Sequence, residues 1–248
     1  MSQPFSYDPA PGLIAPDFEK LPLSLPKRAI FAFLGEKRIA HFANAKGGKE
    51  IGHFISITKN FPLYEIPTDK EPVLLMQAPV GAPAAVLMLE RLFAYGVEKV
   101  LAIGCCGALT ELPENVFLPV TKAYREEGTS YHYLPPEPFI SFDEKPLHAL
   151  ERYFTEKQLP YLPCTTWTSD GFFRETKEKI RQRKADGCQV VDMEASALAA
   201  CAQFRKKTFA QILFTADTLT HMTHDQRHWG EESRNSALTL AYEALAYL

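Results

Sequence analysis

The stretch from residue 73 to residue 103 constrains the fold more than any other part of the chain. Two short apolar runs, Val73 to Ala78 and Val100 to Ile103, flank a segment in which apolar residues recur at helical spacing up to Tyr95. A strand, a helix and a strand of these lengths form a right-handed crossover between parallel strands. The sequence therefore predicts an α/β fold with a parallel core.

The alternation of strands and helices continues on both sides of this unit. Further strands are predicted at residues 29–34, 53–57, 61–66, 115–125, 164–169, 189–192 and 209–217, and further helices at 147–154, 175–186, 195–204 and 229–248. No repeat or linker divides them, so we expect one domain, residues 29–248, with a three-layer α/β/α architecture and a mixed, largely parallel central sheet. The proline-rich residues 1–28 are predicted to form an N-terminal arm over the domain or a neighbouring subunit.

The composition argues against several classes of protein. The chain has 248 residues, a formal net charge of -3 and no long basic run, which is unlike a nucleic-acid binder. It contains no apolar window of the roughly 18 residues that span a membrane, and its N-terminus lacks the regions of a signal peptide. The five cysteines are odd in number and form no Cys-x-x-Cys pair. We therefore expect a cytoplasmic protein without a disulfide framework, a metal site or contact with membranes.

Two carboxylates follow apolar strands in the second half of the chain. Glu194 comes after Val190 to Asp192, and Asp217 ends the segment that begins at Phe209. An open α/β sheet binds ligands beyond the carboxyl ends of its strands, so both side chains are candidates for one site. Glu194 by itself is also explained as an acidic cap of the following helix, whose dipole favours negative charge. That explanation leaves Asp217 unaccounted for, whereas one carboxylate for vicinal hydroxyls and one for proton delivery suit cleavage of a glycosidic bond to a base.

Other candidate contacts come from turns and loops. Gly35 with Lys37 and Arg38 suits either an anion-binding turn or a glycine turn with solvated charges. His132 lies in a long loop and is either a ligand contact or a surface residue. Phe172 to Phe173 follows a strand, where aromatic rings either stack on a flat ligand or cap the core.

The segment Gly104-Cys105-Cys106-Gly107 follows the strand at residues 100–103. Its glycines allow the backbone to come close to a ligand or to another strand. The adjacent cysteines fit either plain packing or a reactive thiol.

Four segments together resemble the successive motifs of the nucleoside phosphorylase superfamily, which includes the hexameric purine nucleoside phosphorylases and the uridine phosphorylases. They are Val100 to Ala108, Ser169 to Phe173, Val191 to Ala195, and Thr215 to Asp217. The resemblance covers about residues 29 to 247, in the same order and with similar spacing.

The resemblance implies roles for the substrate-binding residues. Met193 and Glu194, with Asp192 beside them, match the positions that hold the ribose, and Glu194 accepts its hydroxyls. Phe172 matches the aromatic residue that packs against the base or the sugar. His132 is a further candidate contact with the substrate because it lies in the long loop, independently of the resemblance.

The resemblance also implies a catalytic pair and a phosphate site. Asp217 matches the aspartate that protonates the leaving base in purine-cleaving members, and Arg234 matches the arginine that assists it. The predicted phosphate site consists of Gly35, Arg38, Gly104, Cys105 and Lys59, the last of which corresponds to an arginine lent by a neighbouring subunit.

Two departures from the family pattern bear on the substrate. Ala102 and Cys105 stand where phosphorylases usually carry arginine and then serine or threonine, which removes the strongest charge-assisted partner of phosphate. Thr176 and Glu178 replace the glutamine and arginine of the pyrimidine signature, which argues against uracil recognition.

The sequence thus predicts cleavage of a purine-type nucleoside by phosphate, giving the free base and ribose 1-phosphate. A hydrolytic nucleosidase, with Glu36 as a candidate base, a uridine phosphorylase and a catalytically inactive nucleoside-binding protein remain as alternatives. Neither a metal nor an organic cofactor is implied, and phosphate is the co-substrate. The resemblance further implies a homo-oligomer, either a dimer or a trimer of dimers.

Overall fold

The computed structural model describes residues 7–248, so the first six residues of the predicted arm, which include the N-terminus searched for a signal peptide, lie outside the described residues. The described part contains strands β1 (Arg28–Ala32), β2 (Lys49–Ile55), β3 (Asn60–Ile66), β4 (Val73–Gln77), β5 (Lys99–Ala108), β6 (Phe117–Glu126), β7 (Phe139–Ser141), β8 (Cys164–Ser169), β9 (Val190–Asp192) and β10 (Thr208–Thr218). Its α-helices are α1 (Glu36–Ala45), α2 (Ala82–Ala94), α3 (Glu144–Glu156), α4 (Lys177–Ala185), α5 (Ala195–Phe204) and α6 (Glu231–Ala244).

The predicted crossover between parallel strands is confirmed. Strands β4 and β5 both pair in parallel with β1, and α2 connects them. Helix α2 begins after Gly81 and ends before Gly96, whose φ of 115° lies in the left-handed region that favours glycine.

Two layers of helices cover the sheet. Buried side chains of α2 and α5 pack in one core cluster, and those of α1, α3 and α6 pack in another. The hairpin of β2 and β3 extends the sheet in antiparallel pairing beyond β4. The α/β fold with a mixed sheet is therefore as the sequence predicts.

Part of the sheet closes on itself, which the sequence did not predict. Strand β10 pairs with both β5 and β6, and the ring is completed through β8 and the short strand β9, which pairs antiparallel with β5. The segment from Gly104 to Ala108 belongs to β5, so its prediction as a segment beyond the strand is wrong. The physical reason is close packing: a Cβ at Gly104 would lie 2.9 Å from the Cβ of Phe33, and one at Gly107 would lie 3.1 Å from Cγ1 of Val191.

Two other predictions of local structure are corrected, and one strand was not predicted. The turn predicted at residues 35–38 is the start of α1. Ile39 and Ala43, which lie one helical turn apart in this helix, are buried. Strand β7 is only three residues long and carries too little pattern to be read from sequence. The final helix begins at Glu231 rather than at Trp229, because the backbone at Trp229 is left-handed, with a φ of 55°.

The described part of the predicted arm lies along its own domain. Residues 7–27 contain no helix or strand. The Leu25 N–H donates to the Tyr95 carbonyl at 3.0 Å, the Leu21 N–H donates to the Tyr95 hydroxyl at 3.0 Å, and Glu19 forms an ion pair with Arg91 of α2. Between residues 7 and 248, no helix has the length and the apolar character needed to cross a bilayer.

Candidate active site

A cavity of about 160 Å³ opens beyond the carboxyl ends of β5, β9 and β10. This is the position at which an α/β sheet binds its ligand. The cavity is lined by residues of the β5 end, of β9 and the turn after it, of β10 and of four loops, namely Phe33, Val80, Gly104 to Gly107, Phe172, Glu175, Val191 to Glu194, Gln211, Leu213, Ala216, Asp217 and Trp229.

Glu194 is buried and reaches across to a different helix. It occupies the N-cap position of α5, but its side chain makes no capping hydrogen bond there. Instead its Oε1 accepts the N–H of Gly81, at the start of α2, at 2.6 Å. Burial raises the pKa of Glu194 well above the ordinary range of a carboxyl group, and the nearby Asp192 carboxylate adds to this shift as a smaller cause. The interpretation of Glu194 as a helix cap is therefore wrong, and its carboxyl group faces the cavity.

Asp192 provides the cap that the sequence assigned to Glu194. Its Oδ2 accepts the N–H groups of Glu194 at 2.9 Å and of Ala195 at 2.6 Å. Its Oδ1 accepts the hydroxyls of Thr166 and Thr168, each at 2.9 Å. An ionised carboxylate offers about four acceptor positions, and four donors of the protein use them. Asp192 lines the cavity, but its hydrogen bonds are directed to the protein and hold Glu194 in place.

Asp217 lies near the end of β10 and is 7% exposed. The pairing of β10 with β5 shifts by one residue between Thr215 and Asp217, so Ala216 is bulged and both Ala216 and Asp217 line the cavity. Its Oδ2 lies 2.9 Å from Nε2 of His224. Burial raises the pKa of Asp217, and the hydrogen bond to His224 partly opposes that shift.

Glycine is required beside this aspartate. A Cβ at Gly107 would lie 3.3 Å from Oδ1 of Asp217 and 3.1 Å from Cγ1 of Val191. Both contacts are tighter than ordinary van der Waals contact. Gly107 therefore leaves the space in which the Asp217 carboxyl group lies.

Arg234, predicted to assist Asp217, makes no hydrogen bond to it in the described part of the chain. Within the described residues, it is His224 that bonds the Asp217 carboxyl group. The Arg234 charge acts on Cys105, where it lowers a thiol pKa that burial raises. Cys105 lines the cavity, and protein atoms surround most of its thiol.

The predicted phosphate residues divide into two groups. Gly104 and Cys105 line the cavity, whereas Gly35 and Arg38 line a separate groove between α1 and α6. Nη1 of Arg38 donates to the backbone carbonyl of Arg234 at 3.0 Å and to the side chain of Asn235.

Lys59, the other predicted cation, also lies away from the cavity lining. Its Nζ bonds the side chain of Gln77 and lies 3.0 Å from a carboxylate oxygen of Glu36, the candidate base of the hydrolytic alternative. Within the one chain described, Lys59 therefore neutralises a carboxylate of its own subunit.

The remaining substrate candidates are also split. Met193 and Phe172 line the cavity, and Phe172 is 44% exposed. Phe173 packs edge-to-face on Phe172 with ring centroids 5.0 Å apart. His132 lies elsewhere, in a shallow surface depression that it shares with Pro83.

Four residues at or beside the cavity were missed by sequence reasoning. Glu175 lines it, and burial followed by the charge of Asp217 raises the pKa of Glu175 to about 7. Trp229 also lines the cavity. His224 does not line it, but its imidazole bonds Asp217, which does. His224 comes from a loop without period, and Trp229 was predicted as the first residue of the final helix, so neither was identified as a site residue.

Gln211 is the fourth missed residue, and it did carry a signal. It is a polar residue inside the apolar run of β10, where it is 1% exposed and lies in register with Ala102 of β5. Its Oε1 has no hydrogen-bond partner in the described structure. A buried unpaired amide oxygen costs free energy, so its place in the cavity wall points to a partner in a ligand.

The charge of the cavity wall is one-sided. Among its described lining residues are four acids, Glu175, Asp192, Glu194 and Asp217, and no Lys, Arg or His. In their ionised forms, these acids stabilise positive charge on a bound ligand.

Comparison with known proteins agrees with this architecture. The model of the family described as the phosphorylase superfamily matches residues 27–247. An uncharacterised protein of Acanthamoeba polyphaga mimivirus is 32% identical over 140 residues, which are 56% of this chain and 54% of that protein, so the chain spans about half of its length. A DeoD-type purine nucleoside phosphorylase of Brevibacillus brevis is 24% identical over 170 residues, which are 66% of this chain and 72% of the relative.

The fold has a close counterpart among solved structures. The crystal structure of a uridine phosphorylase from Vibrio fischeri superposes with a TM-score of 0.76 and covers 92% of each chain. At 18% identity, this likeness concerns the fold. Because the family match extends over nearly the whole domain, the chain belongs to the phosphorylase superfamily.

Proposed function

We propose that this protein cleaves the N-glycosidic bond of a purine nucleoside, with phosphate as the nucleophile, and releases the free base and ribose 1-phosphate. The observation that carries the proposal is the placement of Glu194 and Asp217 in one cavity with different partners, Gly81 for the first and His224 for the second. Two acids in different environments suit two different tasks, binding of the sugar by one and protonation of the leaving base by the other.

Glu194 is the residue for the sugar. Its Oε1 is held by the Gly81 N–H, and the carboxyl group accepts hydrogen bonds from ribose hydroxyls. As the glycosidic bond lengthens, positive charge develops on the sugar ring, and the carboxylates of the wall stabilise it.

Asp217 is the residue for the base. Burial raises its pKa, which keeps more of it protonated and able to donate to a ring nitrogen of the leaving base. The resemblance to a purine nucleoside phosphorylase of Brevibacillus brevis supports a purine, as do Thr176 and Glu178 at the places of the pyrimidine signature.

The end of β5 supports phosphate as the nucleophile. Gly104 and Cys105 line the cavity, and the charge of Arg234 reaches Cys105. Arg38 is bonded to the backbone of Arg234, so a second guanidinium lies nearby on α1. Of these two arginines, Arg234 acts on Cys105 of the cavity, whereas Arg38 lines the neighbouring groove.

Hydrolysis is the second candidate, and one observation favours it. The described lining contains four acids and no basic side chain, an environment that opposes a phosphate dianion. At the register position of Ala102, the cavity offers the neutral amide of Gln211, which can hold a water molecule.

Base release from a panel of purine and pyrimidine nucleosides, measured with and without phosphate, tests both candidates. Phosphorolysis requires phosphate-dependent release and ribose 1-phosphate as the product. Release that continues without phosphate and yields free ribose would establish hydrolysis instead. Tight binding of a nucleoside without release, unchanged in Asp217→Asn, would show a binding protein and refute both candidates.

We further propose that the protein acts as a homo-oligomer. Val80, which lines the cavity, is 70% exposed, and the neighbouring elements expose Ile57 and Leu87. Exposed apolar side chains beside a cavity suit coverage by a second subunit. Light scattering on the purified protein measures the mass, and a monomer at working concentrations would contradict the proposal.

A further inference from the structure

His224 links the buried Asp217 to solvent. Its Nε2 lies 2.9 Å from Oδ2 of Asp217. The side chain of Asp217 is 10% exposed, whereas that of His224 is 41% exposed. The imidazole therefore has one nitrogen on the buried acid and part of its ring in contact with water.

The loop that carries His224 is held in position on both sides. The backbone N–H groups of Thr218 and Asp225 each donate to the carbonyl of the other, at 2.9 and 3.0 Å. Nη1 of Arg227 donates to the carbonyl of Leu112 at 2.9 Å. These bonds restrict the imidazole to the vicinity of Asp217.

The loop is also strained where it returns to the cavity. Arg227, His228 and Trp229 have φ values of 43°, 51° and 55°, a left-handed conformation that is unfavourable for a residue with a side chain. The Trp229 ring lies 5.6 Å from the His224 ring and also lines the cavity. Strain of this kind clusters at functional sites, where the surrounding structure maintains it.

We propose that His224 positions Asp217 and returns a proton to it after each base release. This inference rests on the proposed function, because it concerns the acid that protonates the leaving base. It assigns to a loop histidine the part that the sequence assigned to Arg234.

The proton balance of one turnover is simple. As the N-glycosidic bond breaks, its electron pair moves to the base, and the Asp217 hydroxyl passes its proton to a ring nitrogen of that base. Phosphate or water forms the new bond to the anomeric carbon and releases its own proton to solvent. The Asp217 carboxylate then takes the Nε2 proton of the imidazolium, and the imidazole regains a proton from solvent.

Other charged and titratable groups also act on this acid. Arg227, on the same loop, lowers the pKa of Asp217, and Glu175 shares the cavity with it. The thiols of Cys105 and Cys106 on β5 lie near it and have raised pKa values. Because the hydrogen bond from His224 lowers the pKa of Asp217, its removal raises that pKa further.

The test compares His224→Gln with a matched control, His221→Gln. His221 lies on the same loop, its side chain is 77% exposed, and its contact is Glu111 at 3.4 Å. With an unmodified purine nucleoside, we expect His224→Gln to lower kcat on the order of 10²-fold, the usual contribution of proton transfer, and His221→Gln to leave it unchanged. Thermal unfolding of both variants checks that the fold is retained.

Two further readouts separate proton supply from a structural role. With an N7-methylated purine nucleoside, whose base leaves without protonation, we expect His224→Gln to match wild type. Added imidazole should restore part of the rate with the unmodified substrate. His224→Phe, which also removes the hydrogen bond, should move the alkaline limb of the kcat/KM profile to higher pH.

The outcomes distinguish this inference from the proposed function. If wild type releases base but His224→Gln equals His221→Gln on the unmodified substrate, the inference fails and the proposed function stands. An equal loss on both substrates without rescue by imidazole would also overturn it. If wild type releases no base from any nucleoside, the proposed function fails and this inference fails with it.

Discussion

Asp192 and Glu194 are two residues apart and share one cavity wall, but the structure gives them opposite tasks. Asp192 accepts four hydrogen bonds from the protein, whereas Glu194 accepts the N–H of Gly81 and faces the cavity. We predict that substitution of Asp192 mainly lowers stability and that substitution of Glu194 mainly lowers activity.

The expected loss of stability follows from the hydrogen bonds. Asp192→Ala leaves two N–H groups at the start of α5 without their acceptor, and loss of a helix cap costs about 1 kcal/mol by itself. The hydroxyl of Thr166 also lies 3.5 Å from the Val190 carbonyl and can turn to it, which limits the loss on that side. Because hydrogen bonds to a charged group contribute about 1.5–3 kcal/mol each, we expect a total of about 3–5 kcal/mol. In a domain of this size, that lowers Tm by roughly 10 °C.

Asp192→Asn is the matched control for this loss. Its carbonyl oxygen can accept both N–H groups of α5, and its amide can donate to the hydroxyls of Thr166 and Thr168, which rotate to accept. Only the charge assistance of these hydrogen bonds is lost, so we expect Asp192→Asn to lower the free energy of unfolding by about 1–2 kcal/mol.

Glu194→Gln should behave differently. Its carbonyl oxygen can still accept the Gly81 N–H, and the change removes a buried acid, so stability stays within about 1 kcal/mol of wild type. The neutral amide accepts ribose hydroxyls more weakly, and we expect kcat/KM to fall about 100-fold, equivalent to roughly 2.7 kcal/mol.

Urea denaturation at neutral pH and base-release kinetics measure the two effects on the same preparations. Hydrogen exchange at the amides of Glu194 and Ala195 reports the cap directly. A destabilisation by Glu194→Gln larger than that by Asp192→Ala would refute this division of tasks. An Asp192→Ala variant with wild-type stability and a raised KM would refute it as well.

Three further predictions concern single positions. Gln211→Met removes the unpaired buried oxygen, so we expect the free protein to gain about 1 kcal/mol, seen as a Tm higher by about 2–4 °C, and base release to slow. The pKa of Glu175 is raised to about 7, so below that pH the folded protein holds a proton that the unfolded chain has already released. Stability therefore falls as pH rises through that value. In Glu175→Gln, the free energy of unfolding, measured by denaturation at several pH values, should depend less on pH. Gly107→Ala puts a methyl group 3.3 Å from Oδ1 of Asp217 and 3.1 Å from Cγ1 of Val191, so we expect kcat to fall by more than stability does.

Each of these has a contrary result. A lower Tm in Gln211→Met would mean that the amide has a partner in the free protein. An unaltered pH dependence in Glu175→Gln would assign the fall to other groups. Wild-type turnover in Gly107→Ala would show that the Asp217 carboxyl group has room to move.

The amino-acid sequence by itself determined most strands and helices, though not α1 or β7, and the strand ends from which the site is built. Periodicity is a local property, so the crossover from β4 through α2 to β5 and the helix α5 are legible without tertiary contacts. Glu194 and Asp217 were predicted for one site because each lies at the end of an apolar strand, and both line the same cavity even though β9 runs antiparallel to β5.

Only the tertiary structure decided which acid does what. Besides its two local N–H partners, Asp192 bonds Thr166, 26 residues away, and Glu194 bonds Gly81, 113 residues away; no local pattern records these long-range contacts. The same holds for closure of the sheet, which depends on two pairs of residues between β5 and β9. It also holds for His224, whose loop is set by backbone bonds and left-handed residues rather than by a period. A charge can be read from the sequence, but its hydrogen-bond partners and its burial depend on the whole fold.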